Sequence, residues 1–216
     1  MDKLFQHCYL INLDDKTERM NDSINELSKL NIKPIRFNAV RHEKGAIGCS
    51  LSHLGVLNLA KLKNHEYVLV CEDDNQILNV DELKKSINQF LEDKIEWDVL
   101  LLSANNYRPF EKTSNHYIKV KNAQCANAYI VRKHYYDTLI QIWEKSVIKL
   151  SQNTQLHAIY ALDQYWKILQ KKDNWYLIIP TNIIQKPEYS SIENRIVDYT
   201  DCYMNYDKEY YNDIWK

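Results

Sequence analysis

The chain has 216 residues, 45% hydrophobic and 26% charged, the balance of a soluble domain large enough to bury its own core. Its formal net charge is −1, with acids and bases interspersed, so a nucleic-acid-binding surface is not expected as the main function. No apolar run reaches the ~20 residues of a membrane span, and the N-terminus lacks a signal peptide's long apolar core, so a cytoplasmic protein is expected.

In chain order, Cys8 to Leu13 (CYLINL) reads as a short buried strand. Met20, Ile24, Leu27 and Leu30 then repeat at helical spacing. After Pro34, IRFNAV gives a second strand, and Ser50 is a plausible N-cap for a helix carrying Leu51, Leu54, Leu57 and Leu62. Tyr67 to Cys71 (YVLVC) is an unbroken apolar run, as expected of a central parallel strand. An amphipathic helix with Val80, Leu83, Ile87, Phe90 and Leu91 follows, then the strand Asp98 to Leu102. This alternation predicts an α/β fold with a doubly wound, mainly parallel sheet. HYIKV and NAYIV add strands, Tyr135 to Leu150 and Tyr160 to Leu169 add helices, and WYLII closes the series. Nothing resembles a linker or a repeat, so one domain is expected over residues 1–197, with a C-terminal tail at 198–216. Five widely spaced cysteines without a C-x-x-C pair read as reduced thiols, with Cys8 and Cys71 as small buried hydrophobes.

All three glycines, Gly45, Gly48 and Gly55, fall within HEKGAIGCSLSHLGV, while turns elsewhere rely on Asn, Asp, Pro and Lys. Glycine serves where the backbone takes φ > 0 or where another group comes close. The stretch is either a strand-to-helix turn with one tight contact or a backbone platform beside a ligand. In open α/β sheets, ligands bind beyond the carboxyl ends of the strands. There YVLVC runs directly into Glu72, Asp73 and Asp74. Three adjacent acids repel one another, and a hard divalent cation supplies counter-charge through oxygen ligands; a helix cap or solvated turn is the alternative. At the end of the first strand, Asn12, Asp14 and Asp15 precede Arg19, which can face an anion or pair with an acid. A P-loop and a G-x-G-x-x-G fingerprint are both missing from the sequence.

CYLINLDDKTERM, RFNAV, GAIGCSLSHLGV, YVLVCEDD and NAYIV stand in the order and spacing of glycosyltransferase family 25, which the chain resembles from residue 8 to about 195. The stretch from DQYW to SSIEN looks most like members from large DNA viruses and some protists. The resemblance implies a GT-A-type fold, a UDP-galactose or UDP-glucose donor, Mn²⁺ at the acidic motif and an inverting outcome. It assigns Glu72 and Asp74 to the metal and donor site, and Asn12 and Arg19 to the donor-side N-terminal motif. Ser52 and His53 match the family's Ser-His signature, with Gly48 four residues before Ser52. Asp163 matches an acid near the acceptor, and Gln185 and Ser190 a C-terminal donor-side signature. Ala46 replaces the family's usual acid, Asp-Gly is missing after the Ala-Val of RFNAV, and Asn75 stands where an apolar residue is usual; these departures bear on donor choice.

Inversion needs a carboxylate to take the acceptor's proton, and Asp163 is the expected base. Tyr165 and Trp166 read either as a sugar-stacking wall or as helix core, and His53 and His157 either as metal ligands or as structural residues. A metal-dependent phosphohydrolase and a non-catalytic nucleotide-sugar-binding module are the competing classes. A nucleotide-sugar donor and a glycan or protein acceptor are the expected partners.

Overall fold

A computed structural model describes residues 1–190 and 195–209. The chain begins α1 (Asp2–Phe5), β1 (Cys8–Asn12), α2 (Thr17–Ser28), β2 (Ile35–Asn38), α3 (Gly45–Leu62), β3 (Tyr67–Glu72), β4 (Asn75–Ile77) and α4 (Val80–Glu92). It continues β5 (Val99–Asn106), β6 (Phe110–Lys112), β7 (Tyr117–Val120), β8 (Ala123–Arg132), α5 (Tyr136–Gln152), α6 (His157–Tyr160), α7 (Leu162–Tyr165) and α8 (Lys167–Gln170). β9 (Trp175–Ile178), β10 (Ile183–Gln185), β11 (Glu188–Ser190), β12 (Arg195–Val197) and α9 (Thr200–Met204) complete it.

The unbroken apolar runs become strands whose alternate residues enter two different cores. Tyr9 and Ile11 of β1, Val68 and Val70 of β3, and Val99 and Leu101 of β5 pack with Leu57 of α3 and Trp143 of α5. Their neighbours Cys8, Leu10, Leu69, Cys71, Leu100 and Leu102 pack instead with Leu27 of α2 and Leu83, Ile87 and Phe90 of α4. A strand covered on both faces has no polar side to alternate with, which is why the sequence shows runs.

The sheet order is β2-β1-β3-β8-β5-β9-β7-β6. β1 pairs in parallel with β2 and β3, and β5 with β9. β8 runs antiparallel between β3 and β5, and β7 antiparallel beside β9. Only β7 and β8 oppose the common direction, so the expected α/β class with a mainly aligned sheet holds. The run YVLVC is central as expected, although one of its two neighbours is antiparallel.

Three local expectations need correction. Ser50 is not an N-cap: α3 begins five residues earlier, and the buried Ser50 hydroxyl donates to the Ala46 carbonyl at 2.8 Å. A serine inside a helix bonds back by one turn in this way. The expected helix at 160–169 is three short pieces, α6, α7 and α8. Finally, none of the three glycines has positive φ. The left-handed positions at the ends of α2, α3 and α4 are held by Asn31, Asn64 and Lys94. Within the stretch expected as a tail, α9 places Tyr203 in complete burial, and Arg108 pairs with Asp207; residues 210–216 lie outside the described residues.

Candidate active site

A cleft of about 400 Å³ opens beyond the carboxyl ends of β1, β2 and β3, within the range typical of small-molecule sites. β1 lies beside β3 in a register that pairs Ile11 with Glu72, so Asn12 comes alongside Asp73. Arg19, in the first turn of α2, reaches back over the same edge. Gln185 arrives from the far end of the chain because β10 pairs with β4, Gln185 opposite Asn75. The Lys186 N–H closes this junction on the Asp74 carbonyl at 2.7 Å. Asn12, Arg19, Gly48, Ser52, His53, Glu72, Asp74, Gln185 and Ser190 thus all line one cleft.

The acid run turns tightly after β3, with the Asn75 carboxamide donating to the Glu72 carbonyl. That bond gives the polar Asn75 a structural use where the family pattern is apolar. Arg19 Nη2 lies 2.9 Å from Asp73 Oδ1 and 2.9 Å from Asp74 Oδ2, and its Nε lies 2.8 Å from Glu188 Oε1. Gln185 donates to Asp74 Oδ2 at 2.7 Å, and Asn12 to Asp73 Oδ2 at 2.7 Å. Asp74 Oδ1 is buried without a hydrogen-bond partner among the described residues. Burial, and then the Glu72 charge, push the Asp74 carboxyl up to about 7 despite Arg19. Burial also raises Asp73, with Arg19 and Asn12 opposing.

Glu72 faces the other way. His53, fully buried on α3, meets Glu72 Oε1 through Nε2 at 3.0 Å and the Tyr129 hydroxyl through Nδ1 at 2.8 Å. Burial works to raise the Glu72 carboxyl, but the His53 hydrogen bond and charge, with Arg19, bring it below its ordinary value. Cys49 Sγ stands 3.8 Å from the same oxygen, and burial and the Glu72 charge push its thiol well up. Ser52 staples the loop before α3, accepting from Val40 N–H at 2.8 Å and donating to the Gly48 carbonyl at 2.7 Å.

Two of the three glycines, Gly48 and Gly55, are explained by close approach within the chain. A Cβ on Gly48 would stand 2.5 Å from the Val40 carbonyl oxygen, and one on Gly55 2.6 Å from Cζ of Phe37 in β2. Gly48 also lines the cleft, as does Gly45.

Asp163 is not among the residues lining the cleft. Its Oδ2 accepts the Cys125 N–H at 2.9 Å, and Cys125 has φ 72° where β8 bulges against β5. Burial raises the Asp163 carboxyl, with the Cys125 hydrogen bond and Lys167 opposing. Tyr165 and Trp166 are core, the Trp166 indole donating to the Ala123 carbonyl at 2.8 Å. His157 is exposed on α6, away from the cleft. Sequence reasoning missed Glu188, which pairs with Arg19, and Cys49, which stands four residues before His53 and therefore on the same helix face.

A family model for glycosyltransferase family 25 (LPS biosynthesis protein) matches residues 43–165. The chain belongs to glycosyltransferase family 25. The matched span takes in α3, the acid run and Asp163, and leaves Asn12, Arg19, Gln185 and Ser190 outside it. A search of curated proteins gives no match. Among solved structures, one similar to this chain is a Drosophila β-1,4-galactosyltransferase 7 mutant in complex with manganese, UDP-Gal and xylobiose, at 12% identity and TM-score 0.35. That alignment covers 62% of this chain and 51% of the other, so the chain spans about half that protein's length. A glycosyltransferase involved in glycosylating the major capsid of PBCV-1 aligns at 8% identity and TM-score 0.41, covering 81% and 92%. A197 from STIV aligns at 12% and 0.42, covering 89% and 97%. Among the described residues no helix is long and apolar enough to cross a membrane.

Proposed function

We propose that this family member transfers a hexose, galactose or glucose, from a UDP-sugar to a hydroxyl of a glycan or hydroxylysine-type acceptor, with a divalent cation such as Mn²⁺. The observation that carries the reading is Asp74: a buried carboxylate with one oxygen unpartnered among the described residues, in a cleft where Glu72, Asp73 and Glu188 also face Arg19. The donor set fits a hard cation, which takes oxygen ligands and relieves surplus negative charge. Asp74, with Glu72, would hold it. When bound, such a cation supplies Lewis-acid neutralisation of the leaving diphosphate.

The chain's own residues supply the rest. Arg19, released from part of its carboxylate load, is positioned to face the diphosphate. The N-terminal turn of α3, with Gly45 and Gly48 in the cleft wall, adds the positive end of an 18-residue helix. Asn12, Ser52, His53, Gln185 and Ser190 shape the donor side. Asp163 is the proposed proton acceptor, its raised carboxyl strengthening it as a base.

The test is incubation with UDP-galactose or UDP-glucose and Mn²⁺, first without acceptor and then with collagen-like peptides and simple glycosides. Cation-dependent UDP release and labelled product are expected. Free phosphate would mark a phosphohydrolase, and donor binding without release a non-catalytic module.

A further inference from the structure

Cys49 and His53 stand four residues apart on α3, which brings both side chains to one helix face, and Glu72 faces them from the end of β3. Their ligand atoms all lie within 4.8 Å of one another. A tetrahedral zinc with bonds of about 2.0–2.3 Å holds its ligands roughly 3.3–3.6 Å apart. Here His53 Nε2 to Glu72 Oε1 is 3.0 Å and Cys49 Sγ to the same oxygen 3.8 Å, bracketing that spacing. All three residues line the cleft, from which water would supply a fourth ligand. The far ring nitrogen of His53 meets the buried Tyr129 hydroxyl at 2.8 Å, an outer partner of the kind that orients metal-bound histidines.

We propose that Cys49, His53 and Glu72 form a site for a soft divalent cation of the zinc class, and that filling it switches off the donor site by withdrawing Glu72. The second half rests on the function proposed above. Thiolate and imidazole favour zinc or cobalt, whereas an all-oxygen set favours manganese or magnesium, so the two sites select different ions while sharing one carboxylate. Binding releases the Cys49 thiol proton to solvent. The His53 proton shifts from Nε2 to Nδ1, where the Tyr129 oxygen turns to accept it. The proton exchange itself needs only a turn of the Tyr129 hydroxyl, which reverses its hydrogen bond by rotating.

The test is a titration of the full chain with Co²⁺, watching for the near-ultraviolet thiolate-to-cobalt absorption band, followed by displacement with Zn²⁺. One equivalent should produce the band, Zn²⁺ should abolish it, Cys49→Ser should lack it, and Asp74→Asn should keep it. In parallel, one equivalent of Zn²⁺ should cut Mn²⁺-supported UDP release about tenfold or more in the wild type. The ratio of rates with and without Zn²⁺ should stay near one in Cys49→Ser. A wild type without the band, or a band surviving Cys49→Ser, overturns the site. A band unaccompanied by any zinc effect on turnover overturns the sharing of Glu72. Should no UDP-sugar be turned over at all, the transferase reading falls and the band alone decides the site.

Discussion

On the strand-end wall of the cleft, Asp73, Asp74 and Glu188 crowd one arginine, and Asp74 keeps an oxygen without a partner among the described residues. On the facing wall, formed by α3, the Ser52 hydroxyl both donates and accepts, and both ring nitrogens of His53 are engaged. A buried polar group left unpaired costs free energy, and one fully paired holds its neighbours in place. The first wall therefore reads as machinery whose charges await a ligand, and the second, while no cation sits on Cys49 and His53, as the brace that keeps loop and helix in register. Substitutions should divide accordingly: turnover lost with the fold intact on one side, stability lost first on the other.

The largest effect should come from Asp74→Asn. Turnover should be abolished and the thermal stabilisation by Mn²⁺ should vanish. The metal-free protein should melt no lower than wild type, because an amide replaces a carboxylate that burial and Glu72 already disfavour. Wild-type turnover in the purified variant would end the metal assignment, and a collapse in melting temperature would erase the distinction between the walls.

Asp163 belongs to neither wall, which makes Asp163→Asn a sharper probe than it seemed from sequence. The amide oxygen can still accept the Cys125 N–H and so still support the left-handed residue at the β8 bulge. The basic oxygen is lost together with the negative charge that faces Lys167. Transfer should fall by roughly 10²- to 10⁴-fold, with donor affinity by calorimetry and melting temperature nearly unchanged. A rate within a few-fold of wild type would make Asp163 a bulge support and nothing more.

How far these walls were legible in the sequence depended on distance along the chain. β1, β3 and β5 announce themselves because strands covered on both faces read as apolar runs, and the acids follow β3 directly. The antiparallel insertion of β8 leaves no such mark, since a buried strand looks alike in either direction. The start of α3 was misplaced because Ser50 suggests a cap, whereas the helix begins on Lys44 and Gly45, with no side-chain cap at all. Gln185 was reachable only through the family resemblance, as its pairing with Asp74 crosses 111 residues by way of the β10–β4 ladder. Glu188 carried no signal of its own.

His53→Ala should act on the brace. It removes the partner of the Tyr129 hydroxyl, leaves Glu72 Oε1 with the Cys49 thiol alone, and opens a cavity beside Trp143. A loss of about 3 kcal/mol is expected from removing a fully buried ring and its hydrogen bonds. Chemical denaturation of the metal-free protein measures it, and a loss below about 1 kcal/mol would show that His53 does not brace α3.

The smallest and most discriminating pair is Gly48→Ala against Gly55→Ala. Both sit inside α3, so alanine gains up to ~1 kcal/mol of helix propensity at either position. The obstacles differ in kind. At Gly48 the new Cβ would meet the Val40 carbonyl oxygen at 2.5 Å, and that residue is fixed by its N–H bond to Ser52. Backbone held in this way yields only at a cost, so overpacking of about 1–3 kcal/mol should outweigh the propensity gain. The loop at 39–42 should shift and UDP affinity fall with it. At Gly55 the obstacle is the tip of the half-buried Phe37 ring, at 2.6 Å. A side-chain tip can swing aside, so Gly55→Ala should lie within about 1 kcal/mol of wild type and leave UDP affinity unchanged. Phe37→Leu should recover whatever Gly55→Ala loses, while no side-chain change at position 40 can recover Gly48→Ala. Equal losses at the two glycines would mean that the loop before α3 is free to move, and the brace would then extend no further than His53.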